Sequence, residues 1–514
     1  MNMKYKQNAP KMILALSFLA HSMVSHGVEL KPQVTLASKE VSPEQKHWFQ
    51  GSVTEAFAAA AKQQKHMILY WGAEWCPPCN DLKDQVFSHS EFPQFASRYI
   101  MVYLDGDSEG AQTWGEKLKV SGYPTVVLMD PKGTELFRFS SGMDFAEFKA
   151  AIGSAVASGK NVKSLISNLK SKQPKLSLED WQTLATTYID PGALGLDDQA
   201  TEKLMEKSWR LCPSDFPVGK ATFAAGLWDS SLQEKSTLKE SFKANEDAIL
   251  EQILASGLTM DAARNALMNE PQKKMESLRP ENKERVRLRL VTYVKDLATS
   301  PARAPSERAM ALHSYLDLES MAPSANVQNL RQESKQIMDS ILQVTTSSHQ
   351  MASTYPEVAS IIEQLSGPKD AVAFLESKIP GAKTPWYFES MLSSLENTLG
   401  NKAKAKALEW SEKAKISSKG SATKLQWISK DVALKAKILE KSDTKIAATI
   451  AEFFTEATHQ SDRFDGRNGS AHKRVASVIQ DLGTNGAEAR KKALAFCQKD
   501  KKCLSLYSAS PKKL

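Results

Sequence analysis

Between residues 47 and 157, short apolar runs that predict β-strands alternate with amphipathic patterns that predict α-helices. The predicted strands lie at 47–49, 66–71, 100–104, 126–129 and 134–139. The run 100–104 is apolar or aromatic at every position, which predicts a central strand covered on both faces. The turn sequence Asp-Pro-Lys-Gly at 130–133 predicts a hairpin between the last two strands. Together these elements predict an α/β domain over 47–158, with a mixed sheet and helices on both faces.

The rest of the chain has a helical pattern that is nearly continuous to the C-terminus. The segments 371–376 and 407–412 are similar to each other and begin 36 residues apart. This spacing resembles a tetratricopeptide unit, whose period is about 34, although any paired amphipathic helices give similar spacing. We therefore predict helical domains at 159–368 and 369–514, and a tetratricopeptide-like interpretation for the second.

The N-terminus has the pattern of a signal peptide. Three lysines precede a short apolar stretch at 12–20, and small residues suitable for cleavage follow. The stretch is too short to span a bilayer, which needs about 20 residues, and no cysteine follows it that could carry a lipid anchor. We predict a signal peptide at 1–27, a linker at 28–46 and export to the periplasm without stable membrane insertion. The alternative is an uncleaved amphipathic start.

Composition and charge narrow the classes of function. The 514 residues are 41% hydrophobic and 25% charged, as in an ordinary globular protein, which argues against disorder and against a polytopic membrane protein. The formal net charge is +8, and without the three N-terminal lysines 64 basic residues face 59 acidic ones. The sequence has no basic stripe with interleaved aromatic residues, so we predict no nucleic-acid binding.

The candidate chemistry lies in Cys76 and Cys79, at the start of a helical pattern. Two thiols three residues apart come within disulfide range there. Unpaired N–H groups and the helix dipole favour the thiolate of the first cysteine, which makes it reactive. A static disulfide and half a zinc site are the alternatives, and Asn80 in place of histidine argues against covalent haem attachment. We predict a redox-active pair with no metal and no cofactor.

We predict structural roles for the other three cysteines. A bond between Cys497 and Cys503 requires the helix to end between them, because six residues of helix separate two Cα atoms by about 9 Å. The polar run 498–502 allows such an end, so we predict a structural disulfide, with two free thiols as the alternative. Cys212 is left over and precedes Pro213, and we expect it to be buried.

The segment around Cys76 resembles the thioredoxin superfamily. The sequence Trp-Gly-Ala-Glu-Trp-Cys-Pro-Pro-Cys at 71–79 matches the family's active-site segment almost residue for residue. Gly-Tyr-Pro-Thr at 122–125 resembles the loop whose proline is cis, and Gly142 stands where the family has a glycine before its last helix. The resemblance covers 47–157 and looks most like the exported thioredoxin-like domains of thiol-disulfide interchange proteins.

Chemistry and resemblance together give the two cysteines their expected roles. Cys76 is expected to attack a substrate disulfide, and Cys79 is expected to resolve the mixed disulfide that forms. The resemblance implies supporting roles for residues next to the pair and in the cis-proline loop: Glu74, Trp75, Pro77, Pro78, Tyr123 and Pro124. That loop would present its backbone to an extended substrate.

One position departs from the family pattern. The buried aspartate that thioredoxins carry six residues before the first cysteine is replaced by Tyr70, so Glu74, Asp81 or a water would have to assist proton transfer. The residues between the cysteines are Pro-Pro where Gly-Pro is usual. Reduction, isomerisation and oxidation all stay open as directions of the reaction.

Two hypotheses about function follow. The first is an exported thiol-disulfide oxidoreductase that reduces or exchanges disulfides in protein substrates, with a helical region that binds partners. The resemblance implies a membrane thiol-disulfide interchange protein as its electron donor. The second is a helical scaffold or chaperone-like binding protein whose thioredoxin-like domain has little redox activity. The intact cysteine pair favours the first, whereas Tyr70 and the large helical portion keep the second open.

Overall fold

The computed structural model describes residues 46–508 except 121, 141, 188–193, 195, 323–326 and 461–465. The predicted signal peptide lies outside these residues, as does the predicted linker apart from its last residue. Both predictions therefore stand on the sequence alone. Within the described part of the chain, no helix combines the length and the apolar character needed to cross a membrane.

A mixed sheet, as predicted, forms the centre of the α/β domain, and it has four strands. The strands are β1 Met67–Gly72, β2 Ile100–Asp105, β3 Thr125–Met129 and β4 Glu135–Phe139. Their order is β2-β1-β3-β4, with β1 parallel to β2 and antiparallel to β3, and β3 and β4 form the predicted hairpin. Every residue of β1 is buried. Because side chains alternate along a strand, Ile68 and Tyr70 enter the core on one face, and Leu69 and Trp71 enter it on the other.

Helices cover both faces of this sheet, as predicted. They are α1 Val53–Gln63, α2 Pro77–Leu82, α3 Phe92–Ala96, α4 Glu109–Lys117 and α5 Phe145–Ser158. Side chains of α1 and α4 join the core that contains Trp71, whereas side chains of α2, α3 and α5 join the core that contains Tyr70. Helix α2 passes directly into a π-helical turn at Lys83–Phe87.

Two predictions about the sheet are wrong. Residues 47–49 do not form a strand, and the run 100–104 lies in β2 at the edge of the sheet rather than at its centre. The N–H of Phe49 donates to the carbonyl of Met101 at 2.7 Å, while the indole of Trp48 packs on several aromatic rings of the core. This segment therefore covers the edge without pairing along it. Packing of this kind is enough to shield an apolar strand at the edge of a sheet from water.

The remainder of the chain is a large all-helical region, as predicted. Its described helices are α6 Val162–Lys170, α7 Leu178–Thr186, α8 Asp198–Leu211, α9 Pro217–Ser231, α10 Lys239–Ala244, α11 Glu246–Leu254, α12 Gly257–Met268, α13 Pro271–Ser277, α14 Pro280–Thr299, α15 Pro305–Ser320, α16 Val327–Val344, α17 Ser348–Ser366, α18 Pro368–Lys378, α19 Pro385–Thr398, α20 Lys404–Ser417, α21 Ser421–Ile438, α22 Thr444–Ala457, α23 Gly466–Asp481, α24 Ala487–Cys497 and α25 Lys501–Ser508.

Successive apolar cores run through this region. The largest extends from Val162 to Ile361, a smaller one joins α17 to α19, and a third lies between α21 and α25. The self-similar segments 371–376 and 407–412 lie on α18 and α20, and each is followed by another helix. The tetratricopeptide-like interpretation and the domain boundary at 368 remain predictions. The described residues form one compact unit, in which no boundary separates the two predicted helical domains.

The C-terminal cysteines close the end of the helical region. Helix α24 ends at Cys497, where Gln498 adopts a positive φ of 51°, and α25 begins at Lys501. The break lets Cys497 bond to Cys503 with a Cα separation of 5.2 Å. The remaining Cys212 is a buried thiol, and its burial raises its pKa to about 11.

Replacing Cys497 and Cys503 together by alanine should lower the free energy of unfolding by about 2 kcal/mol, because a bridge across so short a segment restricts the unfolded chain by about that much. Chemical denaturation followed by circular dichroism measures the loss. In excess reducing agent the parent protein also lacks the bridge, so the difference in the free energy of unfolding between parent and variant should disappear. An equal difference under both conditions would instead point to lost packing.

Candidate active site

The predicted cysteine pair lies where β1 passes into α2. Cys76 is the N-cap residue of α2, and its backbone is extended (φ −80°, ψ 114°). Its Sγ accepts the backbone N–H of Cys79 at 3.3 Å. A sulfur in this position meets the positive end of the helix, which stabilises a thiolate. Cys76 is therefore placed to be the more reactive of the two cysteines.

Cys76 and Cys79 are bonded to each other, with their Cα atoms 5.2 Å apart. Pro77 and Pro78 occupy the first turn of α2 between them. Their missing N–H groups cost nothing there, because the first N–H groups of a helix have no intrahelical partner. Cys79 is fully buried and Cys76 is only 3% exposed. The pair therefore lies in a covered site.

The loop that contains Tyr123 and Pro124 lies against the first cysteine. The peptide between the two residues is cis, and the carbonyl oxygen of Tyr123 is 3.7 Å from Sγ of Cys76. The ring of Tyr123 lies over Gly106, where an added Cβ would come within 2.5 Å of a ring atom. Its hydroxyl donates to the Gly106 carbonyl at 3.4 Å. The turn after β2 thus holds the loop in place, and only glycine fits there.

Asn80 closes the active-site turn, a role that the sequence did not indicate. Its Nδ2 donates to the carbonyls of Glu74 at 2.7 Å and Cys76 at 3.0 Å. Its Oδ1 is therefore the acceptor in the 2.8 Å bond with Nδ1 of His349, a residue of α17. Asn80 is 3% exposed, whereas the side chain of Glu74 points into solvent. Glu74 supports the turn through its backbone.

Tyr70, which replaces the usual aspartate, is buried beneath the pair. Its hydroxyl lies 3.4 Å from the carbonyl oxygen of Cys79, and its ring stacks on that of Tyr103. Burial raises the pKa of Tyr70 well above its usual range, and the negative charge of Asp105 raises it further. The phenol therefore stays protonated near neutral pH and cannot act there as a proton acceptor.

Asp81 points away from solvent towards the helical region. It accepts hydrogen bonds from the Ser306 hydroxyl on α15 and from Nε2 of Gln85 at 2.8 Å. Burial raises the pKa of Asp81, and these two bonds oppose the rise. Gly142 lies beside it, since an added Cβ there would meet Oδ2 of Asp81 at 3.0 Å. The carboxylate thus belongs to the contact between the two parts of the chain.

Trp75 is partly buried because side chains of the helical region pack on it. Its Nε1 donates to Oγ1 of Thr423 at 2.8 Å. Its indole stacks on Tyr387, with centroids 6.2 Å apart, and meets Trp427 edge-on at 5.1 Å. These three residues lie on α19 and α21, more than 300 positions from Trp75 in the sequence. No local pattern could have linked them to the dithiol.

Metal binding finds no support among the residues that the structure describes. They contain no group of three or more histidine, cysteine, aspartate and glutamate side chains arranged to hold an ion.

Comparison with known proteins gives matches that fall on the α/β domain. A family model described as Thioredoxin-like matches residues 48–131. The disulfide bond reductase DsbH of Chlamydia pneumoniae is 30% identical over 98 residues, which make up 17% of this chain and 59% of that protein. The thiol:disulfide interchange protein DsbD of Pectobacterium atrosepticum is 27% identical over 103 residues, which make up 19% of this chain and 18% of that protein.

Two solved structures also match. They are a DsbH oxidoreductase and a thioredoxin from Thermus thermophilus, each 24% identical with a TM-score of 0.20. They cover 26% and 22% of this chain and 95% and 88% of their own chains. The match to the first curated relative, DsbH, spans 59% of the length of that protein. Residues 48–131, which hold the Cys76–Cys79 pair and the cis-proline loop, form a thioredoxin-like domain similar to disulfide reductases and thiol-disulfide interchange proteins.

Proposed function

We propose that this protein is an exported thiol-disulfide oxidoreductase that uses the Cys76–Cys79 pair to reduce or exchange disulfides in protein substrates. The observation that carries the proposal is the position of Cys76 Sγ. It lies at the N-cap of α2, 3.7 Å from the carbonyl that precedes cis-Pro124, with Cys79 one turn inside the helix. The similarity of residues 48–131 to a disulfide reductase supports the same chemistry.

In the reductive direction, the Cys76 thiolate attacks one sulfur of a substrate disulfide. The substrate bond breaks, and the released sulfur takes up a proton. The thiolate of Cys79 then attacks the sulfur of Cys76, which releases the second substrate thiol and forms the Cys76–Cys79 disulfide. The substrate gains the two electrons that the pair loses. An external dithiol must therefore reduce the pair again before the next turnover.

The remaining parts of the proposal concern place and partners. Export is proposed from the charged and apolar pattern of the first 27 residues. The proposed location is the periplasm, where disulfides persist. A membrane thiol-disulfide interchange protein is the proposed electron donor, and the similarity to a DsbD supports this class. The helical region is proposed to bind partner proteins.

A second candidate function is a helical scaffold whose thioredoxin-like domain has little redox activity. The 3% exposure of Cys76 favours it, because a covered sulfur meets a substrate only after the side chains around it move. Against it stands the intact pair at the start of a helix, since a purely structural domain needs neither thiol there. Covalent trapping of substrates separates the two candidates.

Replacing Cys79 by alanine should accumulate mixed disulfides between Cys76 and substrate proteins, because the resolving thiol is missing. Non-reducing electrophoresis of cell extracts measures the adducts. The double variant Cys76→Ser/Cys79→Ala is the matched control and should give none. If adducts are equally abundant in both variants and the purified parent protein also cannot reduce insulin, the scaffold is the better description.

Replacing Tyr70 by phenylalanine should leave the rate of insulin reduction and its pH profile nearly unchanged, because the phenol stays protonated at working pH. A proton shuttle contributes about 100-fold or more, so a change under about threefold is expected. Tyr103→Phe, in the same ring stack, controls for packing. A large loss confined to Tyr70→Phe would assign the proton transfer to that hydroxyl.

A further inference from the structure

The helical region lies over the dithiol and takes in Trp75, the residue next to the reactive cysteine. Trp75 and Tyr387 pack against a small apolar cluster made of Trp386, Ala414 and Trp427. Trp386 and Trp427 are 3% and 2% exposed, so both side chains are buried. The aromatic side chain next to the reactive sulfur thus packs against an apolar cluster of the helical region.

A hydrogen-bonded chain fixes this arrangement. Nε1 of Trp75 donates to Oγ1 of Thr423, and the same hydroxyl donates to Oδ2 of Asp107 at 2.7 Å. Oδ1 of Asp107 accepts the backbone N–H of Thr423 at 2.6 Å. Asp107 lies in the turn after β2, and Thr423 lies in the first turn of α21. We call the three residues Trp75, Asp107 and Thr423 the latch.

The latch supplies a cap that α21 lacks. The N-cap position of this helix is Gly420, which has no side chain to accept an N–H. The carboxylate of Asp107 accepts the backbone N–H of Thr423 in place of an N-cap side chain. It also places a negative charge at the positive end of an 18-residue helix. An added Cβ at Gly420 would lie 2.3 Å from Cγ of Asp107. Glycine is therefore what lets the carboxylate approach the helix.

A second set of contacts joins α17 to the helix that carries the cysteines. Nδ1 of His349 donates to Asn80, which itself closes the active-site turn. The N-cap residue Ser347 lies 3.4 Å from one oxygen of Asp84, and Nε2 of Gln350 donates to the other at 3.2 Å. The helical region thus contacts both the residue before Cys76 and the helix after it.

We propose that the helical region sets the substrate range of the dithiol, with Tyr387, Thr423 and Trp427 as specificity-determining residues. In the closed arrangement their side chains exclude a bulky protein disulfide from Cys76. Such a substrate reacts only when α21 moves off Trp75, whereas a small disulfide needs much less movement. This inference rests on the proposed function, because it concerns access to the same cysteine.

The chemistry makes size the basis of selection. Thiol-disulfide exchange requires the attacking thiolate to reach a substrate sulfur directly, so the backbone around that sulfur must come close to Cys76. In the closed state Trp75 and Tyr123 pack against Cys76, and Tyr387 stacks on the indole of Trp75 and holds it there. The rate with a protein disulfide is therefore scaled by the fraction of molecules in which the latch is open.

The latch variants Asp107→Asn and Thr423→Val test the proposal. Both weaken the bonds to α21, and valine keeps the size and branching of threonine. They are made in a Cys79→Ala background, so that Cys76 is the reactive thiol of the pair. The probes are N-ethylmaleimide and a maleimide carried on a polyethylene glycol chain. Alkylation rates are measured on the purified full chain and again in denaturant, and Cys76→Ser/Cys79→Ala supplies the background.

In the chain with an intact latch, the large maleimide should react much more slowly than the small one, relative to their rates in denaturant. Each latch variant should raise the large-probe rate about tenfold, which corresponds to about 1.4 kcal/mol in the opening equilibrium. Asp443→Asn is the matched control, because Asp443 accepts the N–H of Lys445 at the start of the neighbouring helix α22. It should leave both rates unchanged.

Turnover separates this proposal from the function on which it rests. With Cys79 restored, the latch variants should reduce insulin faster than the parent protein, by a larger factor than for glutathione disulfide. Large-probe rates that stay unchanged in both variants, in protein that circular dichroism shows to be folded, would overturn the cover. If the large probe reacts faster with the latch variants, but neither they nor the parent protein reduce insulin or glutathione disulfide, the proposed cover is supported and the oxidoreductase function is wrong.

Discussion

The carboxylate of Asp107 at the start of α21 makes the interaction that holds the helical region over Trp75, the residue next to the reactive cysteine. It accepts one hydrogen bond from the backbone of Thr423 and one from its hydroxyl. Charge-assisted bonds of this kind are shorter and stronger than neutral ones, and here they also complete a helix cap. The hydroxyl of Thr423 also accepts the indole N–H of Trp75. The cap of α21 therefore also fixes the position of the side chain next to Cys76.

The fold and the cysteine motif could be predicted because their signals are local. An apolar strand, a turn and two thiols at a helix start lie within fifteen residues of one another, and the hairpin after β3 is marked by its own turn sequence. The edge position of β2 could not be predicted, because cover by a single tryptophan leaves the same apolar pattern as a central strand. The apolar character of a strand reports its burial and not its neighbours.

The cover of the dithiol could not be predicted for a different reason. Tyr387 and Trp427 have the spacing of ordinary core residues on helices, and Thr423 carries no special signal. Their partner in the site is 348 positions from Thr423 along the chain. A residue that packs on an active site and one that packs on a helix look alike in a sequence. The role of Asn80 likewise leaves no signal in the sequence, since its two bonds to backbone carbonyls depend on the geometry of the turn.

The separation between the two halves of the latch has a consequence for biosynthesis. Asp107 precedes Thr423 by 316 residues, and ribosomes add about 5–20 residues per second, so roughly 15–60 s pass between the synthesis of the two. If the chain is exported N-terminus first, as proposed above, it therefore presents an uncovered cysteine pair before its own helical region has been made. During that interval the newly made domain is open to any neighbouring thiol, and completion of α21 brings the interval to an end.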